Sequence, residues 1–232
     1  MRLLLALLTF SLLFDAPEAA ALPLTPTAVL SSWSSEGTPG DAIVGNLPPA
    51  ASWSLDTHDG VPVISTGGNT SGSLISDFEA SGDFVFSGQF MTLADGDRDN
   101  TGFIFGWQNV SDTYSVLWGG HPVDRWNGNY RVAEVDNGNY SELFTVHSNW
   151  TAEVWYDFSV AHTSGVYQTR ITLDGAVLHE HHFSDTSFSS GRVGIQTNSQ
   201  HTYYKGLAFV PEPTTALLLG LGLMGLAARR RV

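Results

Sequence analysis

Apolar and polar residues alternate along most of this chain with a period of two, and stretches of helical period are nearly absent. Phe84, Phe86 and Phe90 fall on one face of an extended segment, as do Phe103 and Phe105, so each set predicts a strand with one buried side. Short runs rich in β-branched and aromatic residues, with turn residues between them, predict strands over Val61–Ser65, Ser73–Asp77, Asp83–Thr92, Gly102–Gln108, Thr113–Trp118 and Tyr130–Val135. The series continues over Ser141–Val146, Trp155–His162, Tyr167–Leu173, Ala176–Phe183, Gly191–Thr197 and Thr202–Phe209. Asp174-Gly175 is the clearest hairpin turn, because a type I′ turn needs positive φ and this dipeptide accepts it. Leu22 to Leu55 is rich in Pro, Ser and Gly and predicts an irregular lead-in with one or two edge strands. Short strands without intervening helices predict an all-β chain, a jelly-roll sandwich of two antiparallel sheets. No fixed repeat is present, which argues against a propeller or solenoid.

Both ends break the alternation. Arg2 precedes an apolar stretch from Leu3 to Phe14, and Ala19-Ala20-Ala21 supplies small residues for cleavage, the anatomy of a secretory signal peptide over residues 1–21. At the other end Pro211-Glu212-Pro213 precedes an apolar run from Thr214 to Ala228 and then Arg229, Arg230 and Arg231. That run predicts a short hydrophobic helix of about fifteen residues, below the ~20 that usually span a bilayer. The arginines would stay on the cytoplasmic side and place the body outside. Triplet, run and basic cluster resemble, in order and position, the PEP-CTERM sorting signal of exosortase-bearing Gram-negative bacteria. The resemblance implies transient membrane association through residues 214–228, cleavage near the triplet by an exosortase-type membrane protease, and delivery to the cell envelope, outer surface or extracellular polysaccharide. A plain C-terminal tail anchor is the alternative. The expected organisation is a signal peptide (1–21), a lead-in (22–52), a β-sandwich (53–210) and a sorting segment (211–232).

Charge and cysteine content narrow what the body can do. Between Leu22 and Val210 stand six basic and twenty acidic residues, a formal charge of −14. Such a balance disfavours nucleic acid and anionic lipid surfaces and suits cation binding. With no cysteine there is no disulfide framework and no thiolate metal site, so stability rests on the apolar core.

Candidate chemistry concentrates in the middle of the chain. Asp95, Asp97 and Asp99 alternate in one loop, with Gly96 permitting a tight bend. Calcium takes six to eight oxygens at ~2.4 Å, and carboxylates crowded this closely repel one another unless a cation relieves them. This is not an EF-hand loop, because its sixth position is Asn100 and its twelfth is Gly106. A solvated acidic turn is the plain alternative. From Phe90 to Trp118, the Asp-rich turn, the Gly102-Phe103-Ile104-Phe105-Gly106-Trp107-Gln108 strand, and Tyr114 with Trp118 resemble the C-terminal lectin-like domain of the thrombospondins. The resemblance implies a concanavalin-like jelly roll, calcium on the Asp-rich turn, and a binding or adhesive role without catalysis. The segment from His121 to Trp150 departs from that pattern, and the calcium-binding repeats that precede the thrombospondin domain are missing, so receptor functions do not carry over.

Three further groups have competing readings. Trp126, Asn127 and Asn129 sit in a polar loop, where a ring could stack on a sugar and amides could bond its hydroxyls; a structural plug is equally compatible. Glu134-Val135-Asp136 matches the first half of a glycosidase carboxylate triad, but the third acidic position is Gly138. His179 and His181 share a strand face and could ligate a metal, although an exposed edge strand guarded by polar groups is favoured. Trp107, Trp118 and Trp155 are expected in or near the core. The leading expectation is an exported, calcium-dependent module that binds exopolysaccharide or another extracellular glycan. Its alternatives are a polysaccharide-acting enzyme on the same scaffold and a passive coat component.

Overall fold

Alternating side chains become two stacked sheets in the computed structural model, which describes residues 21–39, 50–94, 99–120, 129–184 and 187–211. The described elements run β1 (Leu22–Leu24), α1 (Pro26–Ser32), β2 (Ser34–Glu36), β3 (Trp53–His58), β4 (Val61–Thr66), β5 (Ser71–Ile75), β6 (Phe84–Thr92) and β7 (Asn100–Asn109). They continue as β8 (Asp112–Gly119), β9 (Asn129–Asp136), β10 (Asn139–His147), β11 (Trp155–Thr163), β12 (Val166–Leu173), β13 (Ala176–Phe183), β14 (Arg192–Asn198) and β15 (Thr202–Pro211). Each expected strand has its counterpart among β4 to β15. All of these elements belong to the unit Ala21–Glu212. The expected signal peptide falls outside the described residues but for Ala21, and the sorting tail beyond Pro211 falls outside them too. No helix among the described residues is long and apolar enough to cross a membrane.

The lead-in is more ordered than its composition suggests. Pro26 opens α1, where its missing N–H costs nothing, and the Thr25 hydroxyl caps the helix by accepting from the Ala28 N–H at 3.3 Å. Val29 on this helix of about two turns is buried in the core.

One sheet has the order β13-β12-β11-β6-β15-β4-β3, with β1 also paired to β15; the other runs β10-β9-β8-β7-β14-β5-β2. All ladders between these strands are antiparallel. Asp174 and Gly175 both have positive φ, 50° and 78°, as the β12–β13 hairpin requires. The core between the sheets is aromatic. Phe103 stacks on Phe158 with centroids 4.7 Å apart, and Phe90 meets Trp118 edge to face at 6.1 Å.

One buried hydroxyl pins the layers together. Tyr204 on β15 reaches across to β7 and β14, where its hydroxyl donates to the Gln196 carbonyl at 2.5 Å and lies 2.6 Å from the Thr101 hydroxyl. The Gly102 N–H donates to the same oxygen at 3.4 Å. Burial pushes this phenol far up its titration range, so it stays a neutral donor.

Candidate functional site

Register, rather than sequence proximity, sets the anchors of the two candidate loops at one end of the sheet. The Asp-rich turn enters β7 at Asn100, whereas the Trp126 loop leaves β8 after Gly119 and enters β9 at Asn129. In the ladders Asn100 faces Gly119 and Trp118 faces Tyr130, so the anchors of both loops stand at one end of three adjacent strands. Asn198, at the end of β14, faces Asn100 from the other side. Of the expected ligands, Asp99 and Asn129 lie at this end; Asp95, Asp97, Trp126 and Asn127 fall outside the described residues.

A buried tryptophan braces the rim. Trp150 Nε1 donates to the Asp99 carbonyl at 3.3 Å, and its own N–H donates to the Gly119 carbonyl at 3.3 Å. Its ring lies so close to Gly120 that a Cβ there would stand 2.5 Å from it. One side chain thus fixes the residue entering β7 and those leaving β8. The neighbouring segment is tied in the same way. His147 Nδ1 is 3.1 Å from Asn129 Oδ1, and the Trp118 indole N–H donates to the Ser148 carbonyl at 3.0 Å.

Beneath this end the outer face of the seven-stranded sheet carries a buried cation. Arg131 alternates with the inward Tyr130 and Val132, so it points away from the core. Its Nη2 donates to Asn100 Oδ1 at 3.2 Å, and Nη1 lies 3.9 Å from Glu142 Oε1. Burial raises the nearby Tyr140 phenol, with Arg131 acting in the opposite direction and Glu142 adding to the rise. Sequence reading missed Trp150, Asn100 and Arg131. A strand-start Asn and a lone Arg in a cation-poor body were the only signals available.

Other candidates separate. Glu134 and Asp136 share the side of β9 that carries Tyr130 and Val132, Glu134 half-buried and Asp136 exposed at the end of the strand. β13 is the edge strand of its sheet, yet His179 and His181 do not act as exposed edge guards. His179 stacks on Tyr130 and bonds the Ser148 hydroxyl at 2.8 Å, while His181 stacks on Phe144 at 4.4 Å. Burial lowers the pKa of both, and for His181 the neighbouring His182 adds to the effect. Trp155, expected in or near the core, lies instead on the outer face of the eight-stranded sheet beneath the Lys205 ammonium, 3.6 Å from its ring centroid. Among the described residues no group of three or more His, Cys, Asp or Glu is placed to hold a metal ion.

Residues 209–231 match the family description of the PEP-CTERM protein-sorting motif. No curated protein matches the chain. Solved structures share its fold at low identity. The CBM2 module of the evolved Dit of Lactobacillus casei BL23 phage J-1 aligns at TM-score 0.59 and 11% identity, covering 83% of this chain and 96% of that one. The exoplasmic/lumenal domain of VIP36 in its Ca2+/Man-bound form aligns at TM-score 0.54 and 13% identity, over 78% of this chain and 91% of that one. The carbohydrate-binding module CBM66 from Bacillus subtilis aligns at TM-score 0.53 and 12% identity, over 70% and 96%. The body is therefore a lectin-like jelly roll, and the likeness is one of fold.

Proposed function

We propose that this chain is an exported glycan-binding module, sorted by its C-terminal motif to the cell envelope or extracellular matrix, with calcium ordering its ligand-binding end. The observation that carries the reading is the pairing of Asn100 with Gly119 and of Trp118 with Tyr130, which sets the anchors of the Asp-rich turn and the Trp126 loop side by side. Asp95, Asp97 and Asp99 are the calcium ligands in this reading, offering hard carboxylate oxygens. Trp126 supplies a stacking face, and Asn127 and Asn129 supply amides for sugar hydroxyls. The lectin and carbohydrate-binding modules that share the fold support a glycan as ligand, and the sorting motif supports the address and an exosortase-type processing partner. The role is binding without turnover, in keeping with the incomplete acidic pattern Glu134-Val135-Asp136, whose third position is Gly138.

Calorimetric titration with calcium, thermal unfolding with and without chelator, and a glycan array in both states test the two halves separately. A ligand held at a hundred times its Kd stabilises the fold by about 2.7 kcal/mol, a shift easily read in a melt. An unchanged melt on chelation, with Asp97→Ala/Asp99→Ala behaving as wild type, removes calcium from the reading. Absence of any bound glycan in either state removes the glycan.

A further inference from the structure

The outer face of the eight-stranded sheet holds a groove of about 460 Å3 that lies on a different sheet from the loop end. Ser87 and Gln89 of β6, Asp157 and Ser159 of β11, and Arg170 and Thr172 of β12 line it. These strands are interior to the sheet, so their backbone groups are engaged in ladders on both sides and only side chains are left to recognise a ligand. Adding a peptide strand there is excluded.

The side chains form a grid of hydroxyls, amide and carboxylate. Asp157 faces Gln89 on one side and Thr172 on the other, accepting from Gln89 Nε2 at 2.8 Å and from the Thr172 hydroxyl at 3.4 Å. One row over, Ser159 faces Ser87, and neither hydroxyl has a side-chain partner among the described residues. Gly206 opens the wall. It has φ +60° within the irregularity between Lys205 and Ala208, and a Cβ added there would meet nothing within 4 Å. At the rim Trp155, His58 and Tyr203 form an aromatic strip, with His58 centroids 5.9 Å from Trp155 and 5.4 Å from Tyr203.

Charge selects the ligand further. Arg170 is bound by Glu180 through Nη2 at 2.9 Å and Nε at 3.1 Å, and Lys205 is held over Trp155, so neither cation is left unengaged. Asp157 has no cation within ion-pair distance among the described residues, and the body around it is strongly acidic. An anionic polymer would be repelled, whereas a neutral chain with many hydroxyls finds acceptors and donors together beside the aromatic strip. The lining crosses β12, β11, β6 and β15, about 14 Å at ~4.8 Å per strand, which exceeds a single sugar ring. We propose that this groove is a second binding site, specific for a neutral glycan chain and independent of the Asp-rich turn and its calcium.

The test is titration of the full-length protein, with chelator present, by neutral hexasaccharides of glucose, mannose and fructose and by an oligogalacturonate of equal length. The expected result is binding of at least one neutral chain and at least tenfold weaker binding of the acidic one. Ser159→Trp, which fills the groove, and Asp157→Ala, which removes the central acceptor, each lower the affinity for the neutral chain at least tenfold. Gln89→Ala, at a half-buried position on the outer face, lowers it several-fold with an unchanged melting temperature and so guards against a folding artefact. The proposal is overturned if none of the neutral chains binds in chelator, if the acidic chain binds as tightly, or if all three variants bind like wild type. Failure of calcium or of the loop end leaves these outcomes unaffected, because the probes are read without calcium.

Discussion

The imidazole of His179 lies flat against the phenol ring of Tyr130, with centroids 4.5 Å apart and planes 8° from parallel. This stack joins β13, the edge strand of one sheet, to β9, the second strand in from the edge of the other. Its neighbour His181 repeats the arrangement on Phe144. Burial lowers the pKa of both imidazoles, with His182 adding to the effect at His181, which makes this side of the sandwich sensitive to acid.

Stability is expected to fall between pH 7.5 and 5.5. In the unfolded chain these histidines titrate near 6.5, and in the folded protein both pKa values are lower. Below about 6.5 the unfolded chain therefore binds more protons, so the contribution is complete above that pH and is lost progressively as pH falls from there through the lower folded values. Thermal melts across this window check the sign, and His179→Phe/His181→Phe flattens the slope. An equal slope in the double variant would assign the effect elsewhere.

Tyr204→Phe is expected to cost about 2 kcal/mol, because it removes the proton donated to the Gln196 carbonyl and leaves the Thr101 hydroxyl and the Gly102 N–H without this buried partner. Chemical denaturation measures it. A loss under ~0.5 kcal/mol would mean that the pin between the layers is dispensable.

Gly120→Ala drives a methyl into the Trp150 ring and is expected to cost about 1–3 kcal/mol by overpacking. Trp150→Phe relieves the clash but loses the N–H donated to the Asp99 carbonyl. The single variant Trp150→Phe is expected to weaken calcium binding several-fold while lowering stability modestly, and calorimetry with a parallel melt separates the two effects.

Intact mass of the protein recovered from its exporting host is expected to lack Arg229, Arg230 and Arg231. Pro211 is the last residue of β15 and pairs with Phe84, so cleavage beyond it spares the ladder that holds β15 to β6. A recovered chain that still ends in Val232 would refute processing.

Much of the fold could be read from particular residues. Phe84, Phe86 and Phe90 announced a half-buried strand because the pleat puts alternate side chains on one face, and Asp174-Gly175 announced its hairpin because few dipeptides accept two positive φ values. The helix Pro26–Ser32 was hidden by length: about two turns carry too few residues to show a period, and Thr25-Pro26 was the only cue. Trp53–His58 was equally faint, since one edge strand with mostly exposed positions has no buried face to mark it. Trp150 gave no local signal at all, because its partners Asp99 and Gly120 stand far from it along the chain.

By itself the sequence determined the strands from β4 onward, the Asp174-Gly175 turn, the acidic charge and the sorting address, since each depends on neighbours within a few positions. Tertiary structure alone decided which face of each strand looks inward and which strands lie side by side. A period of two states that His179 and His181 share a face, or that Trp155 and Asp157 do, but both faces of a strand satisfy the pleat equally. Only packing against the opposite sheet turned the histidines in and Trp155 out. Only the ladder register set Asn100 beside Gly119, because strand pairing is a long-range choice fixed by the burial of every face at once.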